Sequence, residues 1–296
     1  KDTTVGIDLV ATWTPGDVNA FNGRGGATII STKKYSSLMP NITIACKKFL
    51  NDNRSKIEDM IMALAQAGDQ LRSFDDVKQY ACGINAKVWA ENDGKYWYTY
   101  FNGVKKGSDQ MGGSAVFNLA DMAKMLGLSG GPDIYKEVYN TFGKLQSKLY
   151  PKDLPDFIEY SKAFDKSFIQ SVLSNHPELL EGKPVEVDYT GEITTTVASK
   201  DVHINFETGS AVISQSSIAT LNEIYSSAVT ADGLKVGVYG YTDNVGNSQS
   251  NQILSLQRAD AVRNWLIKRG VPSNRIDEAK GFGEDNPISD NTTESG

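Results

Sequence analysis

A chain of 296 residues is longer than one average domain uses, so two domains are expected, and an apolar content of 40% is ordinary for a globular protein. The formal net charge of −6, with the 30 lysines and arginines scattered rather than striped, argues against binding a phosphate backbone and so against a nucleic-acid partner. No run of about 18 apolar residues exists to span a membrane. The opening KDTTVGIDLV lacks the basic and apolar regions of a signal peptide, so any export signal is expected to have been removed or left out.

In chain order, VGIDLVATW predicts a strand, because β-branched residues crowd it and Thr14, Pro15 and Gly16 then turn the chain. A second extended run, ATIISTKKY, leads through Pro40 to NITIACKKF. From Asn53 to Leu71, Ile57, Met60, Ile61, Leu64 and Leu71 recur at helical spacing and predict an amphipathic helix. Asp75 and Asp76 read as a solvated helix start rather than a paired-carboxylate site. The segment KYWYTYFNGVKKG is aromatic and partly alternating, with Tyr96, Tyr98 and Tyr100 on one face of an expected strand. SAVFNLADMAKMLGL reads as a helix capped by Ser114 or Asn118 and stopped at residues 130–132, and IYKEVYNTFGKLQSKLY and FDKSFIQSVLSN are two further amphipathic stretches. This order of elements is α/β in character.

Residues 182–200 carry Gly, Pro and Thr without a helical period and read as a linker between domains spanning 1–181 and 201–296, with few contacts crossing it. Beyond it VHINF is a strand, SQSSIATLNEIYSSAV a helix, LKVGVYGY a strand, and SLQRADAVRNWLIKRG a helix ending on Gly270 with Ala259, Val262 and Leu266 on one face. Arg275 and Ile276 open another extended run. Cys46 and Cys82 lie in no CxxC pair and only His176 and His203 are available beside them, so no metal site is expected. The two cysteines read as buried free thiols, with a disulfide as the alternative.

Four stretches, INFETGSAVI, GYTDNVG, NQILSLQRADAVRNWLIKRGV and NRIDEAKGFGEDNPISDNTTESG, stand in the order of the motifs of the OmpA-like family, and residues 201–296 resemble its peptidoglycan-binding domain. The resemblance implies a βαβαβ domain that binds the diaminopimelate of the peptidoglycan stem peptide without a covalent bond. In that family the aspartate of the TD pair and the arginine of the LSxxR segment hold the ligand, which places the roles on Asp243 and Arg258. Thr242, Asn251, and the backbone around Glu207, Thr208 and Gly209 match positions lining the same pocket. The chemistry is complementary: one carboxylate for the ligand ammonium, and one planar guanidinium fork for its carboxylate. The plainer alternative for the pair is a structural salt bridge, or an Asx turn at Asp243. The family pattern continues past this chain with an arginine-rich segment ending in a strand, so the last strand and one pocket wall are expected to be missing.

DLVATWTPG and the stretch IISTKKYSSLMPNITIACKKFLNDNRSKIEDMIMAL resemble the second half of type II periplasmic solute-binding proteins. GGSAVFNLADMAKMLGL is similar to such proteins carrying a fused OmpA-like domain. That resemblance implies an α/β domain over 1–181, incomplete at its N-terminus, with solute contacts at Thr12, Trp13 and Thr14, where packing is the plainer reading of the tryptophan. No P-loop, GxGxxG or HExxH motif occurs, so no enzyme, cofactor or metal is expected. The expected function is anchoring of the N-terminal domain to the cell wall in the periplasm, with an outer-membrane tether in a longer protein. An adaptor contacting an envelope protein complex and a solute-capture component of a transporter are the alternatives.

Overall fold

The computed structural model describes residues 12, 14–24, 42–106, 109–154, 156–184, 189, 190, 193, 196 and 198–285. The expected strands VGIDLVATW and ATIISTKKY therefore fall almost wholly outside the described residues. Among the described residues the first two-thirds is mostly helical: α1 (Gly16–Arg24), α2 (Lys47–Asp52), α3 (Arg54–Ser73), α4 (Asp75–Trp89), α5 (Gly94–Asn102), a hairpin of β1 (Val104–Lys106) and β2 (Asp109–Met111), then α6 (Leu119–Met125), α7 (Ile134–Leu149), α8 (Tyr160–Ala163) and α9 (Ser167–Asn175). The last third adds α10 (Ile218–Thr230), β3 (Tyr239–Gly240), α11 (Ser248–Lys268) and β4 (Lys280–Gly281). Among the described residues strands are few and short.

The aromatic segment expected as a strand is α5. Its local signals are helical: the Asp93 carboxylate accepts from Tyr96 N at 2.7 Å as an N-cap, and Gly103, at φ 86°, closes the other end. Tyr96 and Tyr100, one turn apart, bring their rings to 4.7 Å. The alternation of tyrosines is thus a pattern of composition, not of burial.

Helix α3 forms where its spacing predicts, with a rotated face. Ala65 and Gly68 are buried, while Met60 and Leu64 point outward. Small residues decide this: a Cβ at Gly68 would lie 2.3 Å from the Phe117 carbonyl oxygen, so only glycine lets the segment before α6 lie against α3. Ala65 joins Leu119, Val172 and Leu179 in one core. Asn118 is the cap of α6 and forms a reciprocal capping box with Asp121. The helix stops at Met125, earlier than the Gly-Gly-Pro, because Gly127 at φ 66° turns the chain and Leu128 N bonds back to Ala123 O.

The expectation of few contacts across 182–200 does not hold. Ile134 and Val138 of α7 are buried in one core with Val229, Leu266, Val271 and Ile276, and Ser226 Oγ donates to Glu137 Oε2. The apolar stripes of α7 and α10 need the same cover, and each supplies the other's. Described parts of the 182–200 stretch are also tied down. The Gly182 carbonyl accepts from Asn118 Nδ2, the Lys183 carbonyl from Arg72, and Tyr189 OH donates to Asp232 Oδ1 at 3.2 Å. Asp232 sits beside the buried Arg275, whose guanidinium donates to the carbonyls of Ala228 and Ala231 at the end of α10 and of Leu234 in the turn after it. Cys46 and Cys82 are both free as expected, but Cys46 is exposed rather than buried, and burial pushes the Cys82 thiol up. No helix among the described residues is long and apolar enough to cross a membrane.

Candidate functional site

The scaffold of the candidate site is a parallel ladder laid on α11. Val236 N donates to Arg275 O, Asp277 N to Val236 O, Lys280 N to Val238 O, Phe282 N to Gly240 O and Thr242 N to Gly283 O. The run expected as a strand over 234–241 is thus paired with 275–283, with α11 as the crossover. Two glycines let the pair lie directly on the helix. A Cβ at Gly240 would stand 2.2 Å from the Ser255 carbonyl oxygen, and one at Gly281 would stand 2.3 Å from Leu256 N. Ser255, fully buried, accepts from Gly283 N at 2.9 Å through Oγ and donates to Gln252 O. Sequence reasoning passed over Gly240, Gly281 and Ser255, although glycine inside a strand pattern signals close approach of backbone.

This ladder delivers Thr242 and Asp243 to the start of α11. The helix begins at Ser248, about two turns before the SLQR segment, because the Asn247 side chain accepts from Gln249 N and Ser250 N. That places Asn251, Ser255 and Arg258 at i, i+4 and i+7 on one helix face, with Asn251 and Arg258 about 10 Å apart along the axis.

At the near end of this face the buried Asn251 donates from Nδ2 to the Asp243 carbonyl oxygen at 3.2 Å and to Glu284 Oε2 at 3.0 Å. Asp243 is exposed, and its Oδ1 accepts from Val245 N at 3.2 Å, the Asx turn the plainer reading allowed for. Thr242 Oγ1 is buried without a hydrogen-bond partner among the described residues. At the far end Arg258, half-buried, donates from Nε to Ser210 O at 3.1 Å, and its guanidinium carbon lies 5.0 Å from the centre of the Phe206 ring. Ser210 closes a turn with Glu207, Thr208 and Gly209, in which Ser210 N bonds to Glu207 O and Gly209 takes φ 63°. The space around Gly209 is open, so its glycine answers the backbone angle and not a close approach. The arms of that turn pair through Phe206 and Ile213, which is what becomes of the expected strand VHINF.

Asp243 and Arg258 form no ion pair with each other, and Arg258 Nη1 and Nη2 have no partner among the described residues. Asp243, on the loop before α11, is thus held through its carbonyl by Asn251, and Arg258, on α11, is held through Nε by the Ser210 carbonyl. An arrangement of this kind has a free acceptor and a free two-point donor to offer a zwitterion.

The OmpA family matches residues 205–296. This segment is an OmpA family domain. Its relatives include outer membrane protein P5 of Haemophilus influenzae, 35% identical over 97 residues that cover 33% of this chain and 27% of that protein. Outer membrane protein A of Klebsiella aerogenes is 35% identical over 107 residues, covering 35% of this chain and 30% of that protein. Outer membrane protein A of Escherichia fergusonii is 38% identical over 97 residues, covering 32% and 39%. The chain thus spans well under half the length of each of these relatives. A solved outer membrane protein from Borrelia burgdorferi B31 matches with 26% identity and a TM-score of 0.26, over 28% of this chain and 73% of that one. All the Asp243 and Arg258 geometry lies inside the OmpA family domain.

Outside that domain, Trp13 falls beyond the described residues. Thr12 is exposed, and Thr14 Oγ1 donates to Asp17 Oδ2 at 3.1 Å at the start of α1, with the same Asp17 oxygen accepting from Gly112 N. Among the described residues no group of three or more His, Cys, Asp or Glu is placed to hold a metal ion.

Proposed function

We propose that this protein binds peptidoglycan non-covalently through its OmpA family domain, the Asp243 carboxylate receiving the ammonium and the Arg258 fork the carboxylate of a stem-peptide diaminopimelate. The observation that carries the reading is the pair of opposite charges, Asp243 on the loop that Asn251 ties to α11 and Arg258 on α11, which form no ion pair with each other. A structural salt bridge would have closed that gap. Thr242, with its unpartnered buried hydroxyl, and Asn251 line the near end, and the Thr208–Gly209 turn borders the far end. Binding there anchors the helical N-terminal part to the wall, in the periplasm, with a protein of the outer membrane as the longer context. The activity is one of attachment, not catalysis.

For the N-terminal part, the domain limits 1–181, 182–200 and 201–296 and the solute-binding likeness with contacts at Thr12, Trp13 and Thr14 belong to the same proposal. The adaptor reading has one observation in its favour. Tyr80, Ile84 and Val88 stand exposed at i, i+4 and i+8 along α4, with Trp89 exposed beside them. A stripe of this kind suits a protein partner in an envelope complex better than a small solute.

The test is co-sedimentation of the full chain with purified sacculi, beside Asp243→Ala and Arg258→Ala shown by circular dichroism to be folded. Both variants are expected to lose binding. If the parent fails to sediment, or both folded variants sediment as well as it does, the proposed site is wrong.

A further inference from the structure

We infer that Glu284 is a positioning residue for the Asp243 loop, acting through the carboxamide of Asn251. This rests on the peptidoglycan reading and adds a residue to it that motif matching had left aside. Asn251 is 5% exposed, so its amide has no water to turn to, and both groups facing its nitrogen are acceptors: the Asp243 carbonyl at 3.2 Å and Glu284 Oε2 at 3.0 Å. A carboxylate and a carbonyl cannot donate, so the orientation of the amide is settled by its neighbours, with one N–H for each. Glu284 is itself held in place. The residue before it is clamped on both sides, Gly283 N by Ser255 Oγ at 2.9 Å and Gly283 O by Thr242 N at 2.7 Å.

The chain of contacts runs from Glu284 through Asn251 to the carbonyl of the residue that carries the site's acid. Without the Glu284 carboxylate, the Asn251 amide loses one of the two acceptors that fix its orientation, and its bond to the Asp243 carbonyl is no longer held in one geometry. Asp243 would keep its charge and lose its position.

The experiment measures the dissociation constant of the full chain for a stem tripeptide ending in diaminopimelate, by calorimetry, for Glu284→Ala, Glu284→Gln, Asn251→Ala and the Glu284→Ala/Asn251→Ala double variant. Asp243→Ala is the reference. Glu284→Ala and Asn251→Ala are each expected to weaken binding about tenfold, the order of one supporting hydrogen bond, and the double variant no further than Asn251→Ala. Glu284→Gln, whose carbonyl still accepts from Asn251, is expected to stay within about threefold of the parent. A merely structural role would not give both the rescue and the non-additive pair. Multiplicative losses in the double variant, parental binding by Glu284→Ala, or a Glu284→Gln loss as large as that of Glu284→Ala each overturn the inference while leaving the site standing, provided Asp243→Ala abolishes binding. Parental binding by Asp243→Ala and Arg258→Ala together removes the site and this inference with it.

Discussion

Replacing Arg258 separates what the residue does for the fold from what it does for a ligand. In the unbound protein its side chain makes one charge-assisted bond, Nε to Ser210 O at 3.1 Å, and covers the Phe206 ring from 5.0 Å. A bond of that kind contributes about 1.5 kcal/mol, and a partly exposed contact of the cation with the ring about 0.5 to 1 kcal/mol. Arg258→Ala should therefore lower stability by about 2 kcal/mol, a loss that urea unfolding resolves and that leaves the chain folded. Its effect on a bound zwitterion should be larger. Removing one partner of a desolvated charged contact costs about 2 to 5 kcal/mol, roughly 30-fold to several-thousand-fold in the dissociation constant. Arg258→Lys restores the charge without the planar two-point grip or the Nε bond, so it should recover part of the affinity. The assay is calorimetry with the stem tripeptide at fixed salt, beside urea unfolding of each variant. A folded Arg258→Ala protein that binds within a factor of three of the parent would refute the role given to the guanidinium. Equal binding by Arg258→Lys and the parent would leave the charge and dismiss the fork.

Three further outcomes follow from the packing. Gly240→Ala sets a Cβ about where the Ser255 carbonyl oxygen and Ala259 already stand, at 2.2 and 3.1 Å, so it should cost about 1 to 3 kcal/mol in urea unfolding and weaken tripeptide binding by shifting Thr242 and Asp243; an unchanged midpoint would show that the ladder does not lie on the helix as described. Leu266→Ala empties a fully buried position in the core shared with Ile134 and Val138, so it should cost about 2 to 5 kcal/mol and raise amide exchange in α7 and α10 together; α7 amides that keep their protection would mean two independent bodies. Burial beside Asp232 holds the Tyr189 hydroxyl protonated, its pKa pushed up to about 12 from 10, so the unfolded chain releases this proton first and stability should fall as pH rises from 10 to 12; Tyr189→Phe should flatten that part of the stability profile, and an unchanged slope would dismiss the contact.

How much of this was legible in the sequence depends on how far apart the deciding residues lie. Helices α7 and α9 and the Ala259, Val262 and Leu266 face of α11 follow from spacing alone, since an apolar stripe of period 3.6 needs no knowledge of its partner. The error at α5 was local: an aromatic alternation outweighed Asp93 and Gly103, whose capping roles were there to be read. The face of α3 was not legible, because Ala65 and Gly68 turn inward only where the Phe117 backbone comes close. Likewise nothing in the sequence around 182–200 announces that α7, in the first part of the chain, completes the core of the OmpA family domain.

The candidate site divides in the same way, and the division bears on how it would work. Asp243 and Arg258 were found by motif because they carry charge. The residues that put them where they are carry little or none: Gly240 and Gly281, which let the ladder touch α11; Ser255, which ties Gly283 to it; and Asn251, which holds the Asp243 carbonyl from two turns before Arg258. Glu284 is charged, yet its partner lies 33 residues earlier, so no spacing rule connects them. An acid and a base free in solution would turn toward each other or toward water. Here two loops are tied to α11 through backbone carbonyls, that of Asp243 by Asn251 and that of Ser210 by Arg258. In the proposed reading the fold keeps the opposite charges from pairing, and a ligand carrying both an ammonium and a carboxylate satisfies them together.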